Sequence, residues 1–259
     1  MPILDQILQR KREEVIEARS VTPLEELRHN ADSSPPIRDF GLALQTPGIS
    51  VIGEIKRASP SAGTFAPDLD PVATAQIYEA SGAAAISVLT DSDFFHGSSQ
   101  DLELAREATS LPILRKDFIF NIYQVYQSRV MGADAILLIV AAVDDLAELL
   151  DAARDIGLSC LVEVHDENEV EQALLAKAGI IGINNRDLRT FDTTLEITEN
   201  LCPQLPDDVI VVSESGIKGP ADVERLSRAG IDAILVGESL VRSSNPAQYL
   251  QTLREAGYE

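Results

Sequence analysis

The segment SVIGEIKRASPSAG, from Ser50 to Gly63, joins an apolar run to two opposite charges. The run has the character of a buried strand, and it ends in Glu54 and Lys56. Alternate residues of a strand point to the same side, so this carboxylate and this ammonium are expected to lie next to each other. Ser59-Pro60-Ser61 then ends the strand. The segment predicts a charged site at the end of a rigid element.

The pattern of this first strand recurs along the rest of the chain. Most segments between the apolar runs have helical character, and several end in glycine. The eight runs are VIGEIK, AAISVLT, PILRKD, DAILLIV, LSCLVEV, IIGINN, VIVVSESG and DAILVG. Continuous apolar strands joined by helices favour a parallel sheet covered on its outer face. With 259 residues, and no Gly-x-Gly-x-x-Gly after the first strand, a closed barrel fits better than an open dinucleotide-binding sheet.

The predicted fold class is therefore α/β, a (β/α)8 TIM barrel with an N-terminal helical extension. Residues 1–259 are expected to form a single domain, with the extension over 1–49 packed on the barrel over 50–259. Apolar spacing predicts a first helix over 4–18. Thr22 to Glu25 has the pattern of a capping box with proline at the first helical position. Residues 31–39 are expected to form a loop.

The composition excludes several classes of protein. A formal net charge of −21 makes nucleic acid and anionic membrane surfaces poor partners. No apolar run reaches about 18 residues, so no membrane span is expected, and the N-terminus does not have the pattern of a secretory signal. Two cysteines without a CxxC pattern and only three histidines argue against a zinc site. We expect a cytoplasmic protein with no metal that binds a small molecule.

Polar side chains collect where the predicted strands end, which is where barrels of this kind carry their active sites. These ends carry Glu54, Lys56, Lys116, Glu163, Asn184, Arg186, Glu214, Ser215, Gly237 and Ser239. Two lysines and three glutamates can tune one another's proton affinity, which suits general acid–base chemistry. Taken singly, each charge could instead face solvent, and a Glu–Lys pair could be a structural ion pair.

A second signal follows the last two predicted strands. Ser215-Gly216 precedes one helical segment, and Gly237-Glu238-Ser239 precedes another. Glycine lets the main chain approach a ligand closely, and loops at these two positions form the common phosphate site of such barrels. The two turns together predict a phosphate-binding end of the site.

Seven motifs, in order from Gly53 to Leu240, resemble those of the indole-3-glycerol phosphate synthase family. They are GEIKRASPSAG, TDSDFFHGS, LRKDFI, LVEVH, GINNRDL, VSESGI and LVGESL. The resemblance covers essentially the whole chain and implies a (β/α)8 barrel that needs no cofactor. It implies a carboxy-lyase of tryptophan biosynthesis, which closes the indole ring of 1-(2-carboxyphenylamino)-1-deoxyribulose 5-phosphate with loss of carbon dioxide and water. It leaves open whether the chain associates with other enzymes of that pathway.

The resemblance also implies a role for each polar residue. Lys116 would protonate the substrate ketone, Glu163 would be the partner acid or base in dehydration, and Lys56 would bind the substrate carboxylate and share acid duty. Glu54 and Asn184 would orient the lysines and the substrate hydroxyls, and Glu214 would complete the network. The phosphate or hydroxyl end would be lined by Ser59, Arg186, Ser215, Gly216, Gly237 and Ser239. The anthranilate ring would lie against Phe95 and Phe118.

Three local expectations follow. Lys116 has no charge on its own strand face and an apolar residue beyond it, so it should lose its proton more readily than Lys56. A lid from the extension would close with aliphatic side chains such as Ile3, Leu4 or Leu8, because the first aromatic residue is Phe40. His165 is expected only to cap the next helix.

Rival functions remain open from the residues alone. A strand-end lysine in a phosphate-binding barrel also suits a Schiff-base aldolase. A phosphoribosylanthranilate isomerase would be expected to carry a Cys and Asp pair, and no cysteine ends the first strand here. A barrel without catalysis, kept for binding phosphate or as a scaffold, is disfavoured by the intact set of Lys56, Lys116 and Glu163.

Overall fold

A computed structural model describes residues 3–257, which contain a closed barrel of parallel strands. The barrel strands are β1 (Ser50–Ile55), β4 (Ala85–Leu89), β5 (Ile113–Lys116), β6 (Ala135–Ile139), β7 (Ser159–Val164), β8 (Ile180–Asn184), β9 (Ile210–Glu214) and β10 (Ala233–Val236). Two short strands, β2 (Ala58–Ser59) and β3 (Gly63–Thr64), form an antiparallel hairpin after β1. Each barrel strand pairs with its neighbours in the chain, and β1 pairs with both β4 and β10, which closes the barrel. The predicted barrel and its eight strands are confirmed.

Helices alternate with the barrel strands, and others precede and follow them. They are α1 (Ile3–Val21), α2 (Leu24–Asp32), α3 (Phe40–Leu44), α4 (Pro71–Ala80), α5 (Ser99–Ala108), α6 (Ile122–Val130), α7 (Leu146–Asp155), α8 (Glu167–Leu175), α9 (Glu196–Leu201), α10 (Pro220–Ser227), α11 (Glu238–Val241) and α12 (Pro246–Ala256). Side chains of Asp70, Asp145 and Asp166 cap α4, α7 and α8 by accepting main-chain N–H groups. Among residues 3–257, no helix is long and apolar enough to cross a membrane.

The start of α2 differs from the prediction. The capping box from Thr22 to Glu25 is wrong, because Pro23 is the N-cap and this helix end has no side-chain cap. The reason lies in α1, which extends to Val21, beyond the predicted end at residue 18. The Thr22 N–H donates to the Ala18 carbonyl at 2.8 Å, so Thr22 ends α1 and does not begin α2.

The core has an inner and an outer layer. Inside the barrel, Ile52, Leu114 and Leu161 pack together with Phe40 and Leu44 of α3. The Ser50 hydroxyl at the start of β1 donates to the Leu44 carbonyl at 2.9 Å, so α3 lies against the N-terminal ends of the strands. Apolar side chains between the strands and the surrounding helices form the larger outer layer. The apolar side chains of the inner layer therefore close the barrel at the N-terminal ends of the strands. The C-terminal ends of the strands surround the site.

Candidate active site

A cavity of about 500 Å³ opens at the C-terminal ends of the strands, a volume typical of small-molecule sites. All residues proposed for the site from the sequence line this cavity. They are Glu54, Lys56, Ser59, Phe95, Lys116, Phe118, Glu163, Asn184, Arg186, Glu214, Ser215, Gly216, Gly237 and Ser239. The parallel strands of a barrel present their C-terminal ends on one rim, which brings these distant residues together.

The first pair of charges has the predicted arrangement. Lys56 Nζ lies 2.6 Å from Glu54 Oε1, with the carboxylate buried and the ammonium half-buried. The second carboxylate oxygen of Glu54 is buried and has no hydrogen-bond partner among the described residues. Buried polar atoms are normally paired, so this unpaired oxygen is an exception in a residue that lines the cavity.

Lys116 does not stand alone, and the expectation that it loses its proton readily is wrong. Its Nζ lies 2.7 Å from Glu214 Oε2 and 3.6 Å from Glu163 Oε2. Burial opposes the charged ammonium, but the carboxylates of Glu214, Glu163 and Glu54 outweigh burial and raise the pKa of Lys116. The sequence argument considered only the face of β5, whereas these carboxylates come from other strands of the barrel.

Glu163 and Glu214 are both buried, yet their carboxyl groups differ in proton affinity. Burial opposes ionisation of Glu163, but Lys116, His165 and the Asn184 amide overcome it and hold its pKa at about 2. Burial dominates at Glu214, where Glu163 and Glu54 add to it against the opposing charge of Lys116, and its pKa rises to about 7. Two carboxyl groups whose pKa values are pushed apart are the usual equipment of paired acid and base catalysis.

Each carboxyl group is held by neighbours on other strands. The Asn184 amide of β8 donates to Glu163 Oε1 at 3.0 Å, so Asn184 orients this glutamate and not a lysine. His165 Nε2 lies 3.3 Å from the same oxygen. Sequence reasoning left His165 out because it follows the strand. The sequence did contain an indication of this contact. Residues two apart on a strand point to the same side, and Glu163 and His165 have this spacing at the end of β7.

Two glycines provide the space in which the carboxylates lie. A Cβ added to Gly182 of β8 would collide with Glu214 Oε1, and one added to Gly237 would collide with Glu54 Oε1. Gly237 was predicted to line the phosphate end, and its absent side chain also makes room for Glu54. Glycine at these two positions therefore leaves the room in which the two carboxylates take their observed places.

The turn after β9 has an unusual main chain. Ser215 has φ +66° and Gly216 has φ +82°, and a Cβ on Gly216 would lie 2.7 Å from Thr193 Cγ2. A left-handed serine is uncommon and marks local strain, which tends to occur at ligand sites. The turn is held by Asn185, which sequence reasoning missed. Its amide donates to Ser213 Oγ at 2.9 Å and to the carbonyls of Glu214 and Ser215 at 3.0 and 3.1 Å.

Cationic and hydroxyl side chains surround this turn. Arg186 donates from Nη1 to Ser61 Oγ at 3.0 Å, which links the segment after β8 to the segment after β1. Ser239 donates its hydroxyl to the Ile217 carbonyl at 3.1 Å. Lys218 and Arg242, which sequence reasoning did not select, also line this side of the cavity. Arg242 is paired with Glu238 at 2.8 Å, so in a chain of net charge −21 the attraction for an anion here comes mainly from Arg186 and Lys218.

An apolar wall faces the charges. The rings of Phe95 and Phe118 lie 6.0 Å apart between centroids, tilted by 39°. Leu89, Leu137 and Ile139 extend this wall. A flat aromatic ligand is the natural occupant of such a slot.

Helix α1 covers part of the cavity. Ile3, Leu4 and Ile7 line it, whereas Leu8, which was considered for a lid, does not. The Lys11 ammonium, almost fully buried, holds this helix in place. Its Nζ lies 2.9 Å from Asp91 Oδ2, 3.0 Å from Asp117 Oδ1 and 2.9 Å from Glu14 Oε2. Asp117 follows Lys116 directly, so this buried cluster joins the extension to the strand end that carries a site lysine.

Comparison with known proteins places the chain in a family. The family model described as indole-3-glycerol phosphate synthase matches residues 4–253. The chain belongs to the indole-3-glycerol phosphate synthase family. The synthase of Mycolicibacterium smegmatis is 45% identical over 257 residues, which are 98% of this chain and 94% of that relative. That of Laribacter hongkongensis is 47% identical over 258 residues, which are 97% of this chain and 98% of the relative.

The comparisons confirm the predicted indole-3-glycerol phosphate synthase family and its enzyme class, a carboxy-lyase of tryptophan biosynthesis. A solved structure of a cube-shaped, highly porous protein cage, designed by fusing symmetric oligomeric domains, has a TM-score of 0.60 over 80% of this chain and 72% of its own. At 18% identity, that likeness supports the fold alone. The role of each residue and the cytoplasmic location stay predictions.

Proposed function

We propose that the chain converts 1-(2-carboxyphenylamino)-1-deoxyribulose 5-phosphate into indole-3-glycerol phosphate, with release of carbon dioxide and water. One observation carries the proposal beyond family membership. The cavity sets an aromatic slot against two lysines and three glutamates, with a cationic turn at Ser215-Gly216 nearby. The substrate has the matching groups: an aromatic ring with a carboxylate, a ketone with hydroxyls, and a phosphate.

Substrate binding is proposed to use both ends of the cavity. Phe95 and Phe118 form one wall against the anthranilate ring, and Lys56 meets its carboxylate while Glu54 holds the ammonium in place. The phosphate binds among Arg186, Ser239 and the main chain of Ser215-Gly216, with Ser59 and Gly237 lining the hydroxyl and phosphate end. Fixing both ends of a flexible substrate brings the ring carbon close to the ketone, which supplies much of the rate acceleration available from positioning.

Ring closure is proposed to use Lys116 as the acid. The ring carbon that bears the carboxylate attacks the ketone carbon, and the ketone oxygen takes a proton from the Lys116 ammonium. The raised pKa of Lys116 keeps it in the donating form. Transfer remains favourable because an alkoxide is a stronger base than an amine. The ionised Glu214 carboxylate, 2.7 Å from Nζ, orients the ammonium, and the lysine regains its proton from water after the step.

Loss of carbon dioxide then restores the aromatic ring, and loss of water completes the indole. We assign the base in the dehydration to Glu163, because its low pKa keeps it ionised at neutral pH. Its carboxylate takes the proton from the carbon next to the nitrogen as the new double bond forms. The hydroxyl leaves as water with a proton from a lysine, for which Lys56 is close at hand. Over the whole reaction one proton is taken up, because the substrate carboxylate leaves as neutral carbon dioxide.

An indole fluorescence assay on the purified protein tests the proposal. Product should form from the ribulose substrate without any added cofactor, and treatment with EDTA should leave the rate unchanged. Borohydride added with substrate should not trap a covalent adduct. Trapping on Lys56 or Lys116 would instead indicate the Schiff-base aldolase, and absence of both product and adduct would indicate a barrel that only binds its ligand.

A further inference from the structure

His165 lies between two carboxylates beside the site. It follows β7 in the segment before α8, and its ring is largely buried, with 15% of the side chain exposed. Nδ1 lies 3.0 Å from Glu169 Oε2 of α8, and Nε2 lies 3.3 Å from Glu163 Oε1 of β7. The Nε2 contact is an ion contact and not an aligned hydrogen bond. His165 does not line the substrate cavity.

The neighbours of the ring determine its protonation. Glu169 Oε2 also accepts the main-chain N–H of His165 at 2.8 Å, so this oxygen acts as an acceptor and Nδ1 carries a proton. A bare Nε2 would then place its lone pair against a Glu163 oxygen, which is repulsive. The imidazolium has favourable contacts on both sides. Burial opposes this charge, but Glu163 and Glu169 outweigh it and raise the pKa of His165 to about 10.

This contact makes the two oxygens of Glu163 unequal. Oε1 faces His165 and accepts the Asn184 amide. Oε2 faces Lys116 Nζ at 3.6 Å, which is too long for a hydrogen bond, while that ammonium bonds to Glu214 at 2.7 Å. One oxygen is therefore engaged by the protein, and the other is left for the ligand.

We propose that His165 is a positioning residue whose imidazolium, fixed by Glu169, holds Oε1 of Glu163 and so makes Oε2 the oxygen that takes the substrate proton. The proposal rests on the role of Glu163 as base in the proposed function. In that step the C–H bond next to nitrogen breaks, its proton passes to Oε2, and its electrons form the double bond as water leaves. His165 keeps its own proton throughout.

Two substitutions at His165 separate the contacts of its ring. Asparagine places an amide nitrogen near the position of Nδ1, and glutamine places one near Nε2. His165→Asn should lower kcat by about 10- to 100-fold, the range expected when a reacting group is misplaced by about 1 Å. His165→Gln should recover most of this loss because it restores a donor to Glu163. KM should stay unchanged in both variants, because the side chain at position 165 does not line the substrate cavity.

The pH dependence of kcat distinguishes positioning from mere stabilisation. Loss of the imidazolium removes one of the two cations that face Glu163, the other being Lys116, so the pKa of Glu163 should rise. Because the inflection of Glu214 near pH 7 would mask a shift at Glu163, the profile is measured in Glu214→Gln, and its acidic limb should move to higher pH when His165→Asn is added. A lower melting temperature with an unmoved acidic limb and equal losses in the two variants would overturn the proposal.

Further variants keep the test decisive. If His165→Asn does not fold, Glu169→Gln removes only the charge that fixes the ring, and the same shift in the same direction is expected. Glu163→Gln tests the role on which the inference rests. Full activity of Glu163→Gln would refute the proposed base, whereas an inactive Glu163→Gln beside an unaffected His165→Asn would refute only the role of His165.

Discussion

Lys116 is the site residue whose observed surroundings differ most from those expected from the sequence, because Glu214 and Glu163 lie beside it. We expect Lys116→Met to lower kcat by about 10²- to 10⁴-fold with little change in KM, the usual effect of losing a general acid. The matched variant, Lys56→Met, removes the other lysine of the site and should raise KM as well as lower kcat, because it removes the cation that meets the substrate carboxylate. Steady-state kinetics measures both, with circular dichroism to check folding. Near wild-type kcat in Lys116→Met, or a kcat defect at unchanged KM in Lys56→Met, would contradict the assigned roles.

Glu214 gives a prediction for pH. With a pKa of about 7, it is protonated below neutral pH and then no longer pairs as an anion with Lys116. We expect kcat/KM to rise as pH increases through about 7, because ionised Glu214 orients the lysine. Glu214→Gln resembles the protonated form, so its profile should stay at the low-pH level without this inflection. If the inflection near 7 persists in Glu214→Gln, another group produces it.

Gly216 tests the phosphate end. Gly216→Ala introduces a side chain at φ +82° and brings it against Thr193. KM should rise more than kcat falls, because phosphate binding is shared by the ground and transition states, and inorganic phosphate should inhibit competitively. Gly230→Ala is the matched control, since Gly230 has φ +92° but nothing within 4 Å of an added Cβ. Equal KM values in the two variants would place the phosphate elsewhere.

The sequence identifies which residues meet at the site but not how they pair. The type and order of residues at strand ends predict Glu54 beside Lys56, because the two belong to one strand. The partner of Lys116 is Glu214, 98 residues away, and the distance between them depends on barrel closure and side-chain rotamers. Asn185 was missed for a similar reason, since its hydrogen bonds reach β9 and α9.

At the scale of elements, α1 is the part of the extension that reaches the site. Lys11→Met would leave Asp91 and Asp117 buried with less compensation, which typically costs about 3–5 kcal/mol when one partner of a buried pair is removed. The melting temperature should fall, and KM should rise because Ile3, Leu4 and Ile7 no longer cover the cavity. Lys177→Met, on an exposed lysine after α8, is the matched control. A loss of stability at unchanged KM would show that α1 does not affect the ligand.

The eight strands were predictable because each is an apolar run bounded by turn signals, whereas the short elements were not. Helix α3 has only five residues and lies where the sequence shows no clear period, and the hairpin of β2 and β3 lies where Ser59-Pro60-Ser61 was expected only to end the strand. The end of α1 also escaped prediction, because its hydrogen bond from Thr22 outweighed the capping pattern.

At the scale of the whole molecule, the net charge of −21 is expected to lower the stability of the folded chain. Self-repulsion opposes the compact state, and salt screens it. We expect the melting temperature to rise as potassium chloride increases from low concentration toward the molar range. Scanning calorimetry measures this, with an uncharged solute of equal osmolality as the control. A melting temperature that falls with salt would indicate that local ion pairs, such as those of Lys11 and Arg106, outweigh the overall repulsion.

The glycines beneath the carboxylates have a consequence for how such a site can be transplanted. Glu214 of β9 depends on Gly182 of the neighbouring β8, and Glu54 of β1 depends on Gly237 at the end of the neighbouring β10. The position of each glutamate carboxylate therefore depends on a second residue, the glycine on the adjacent strand. If the glutamates are grafted into another barrel, a side chain at the corresponding position of the next strand would push the carboxylate out of the place it has here.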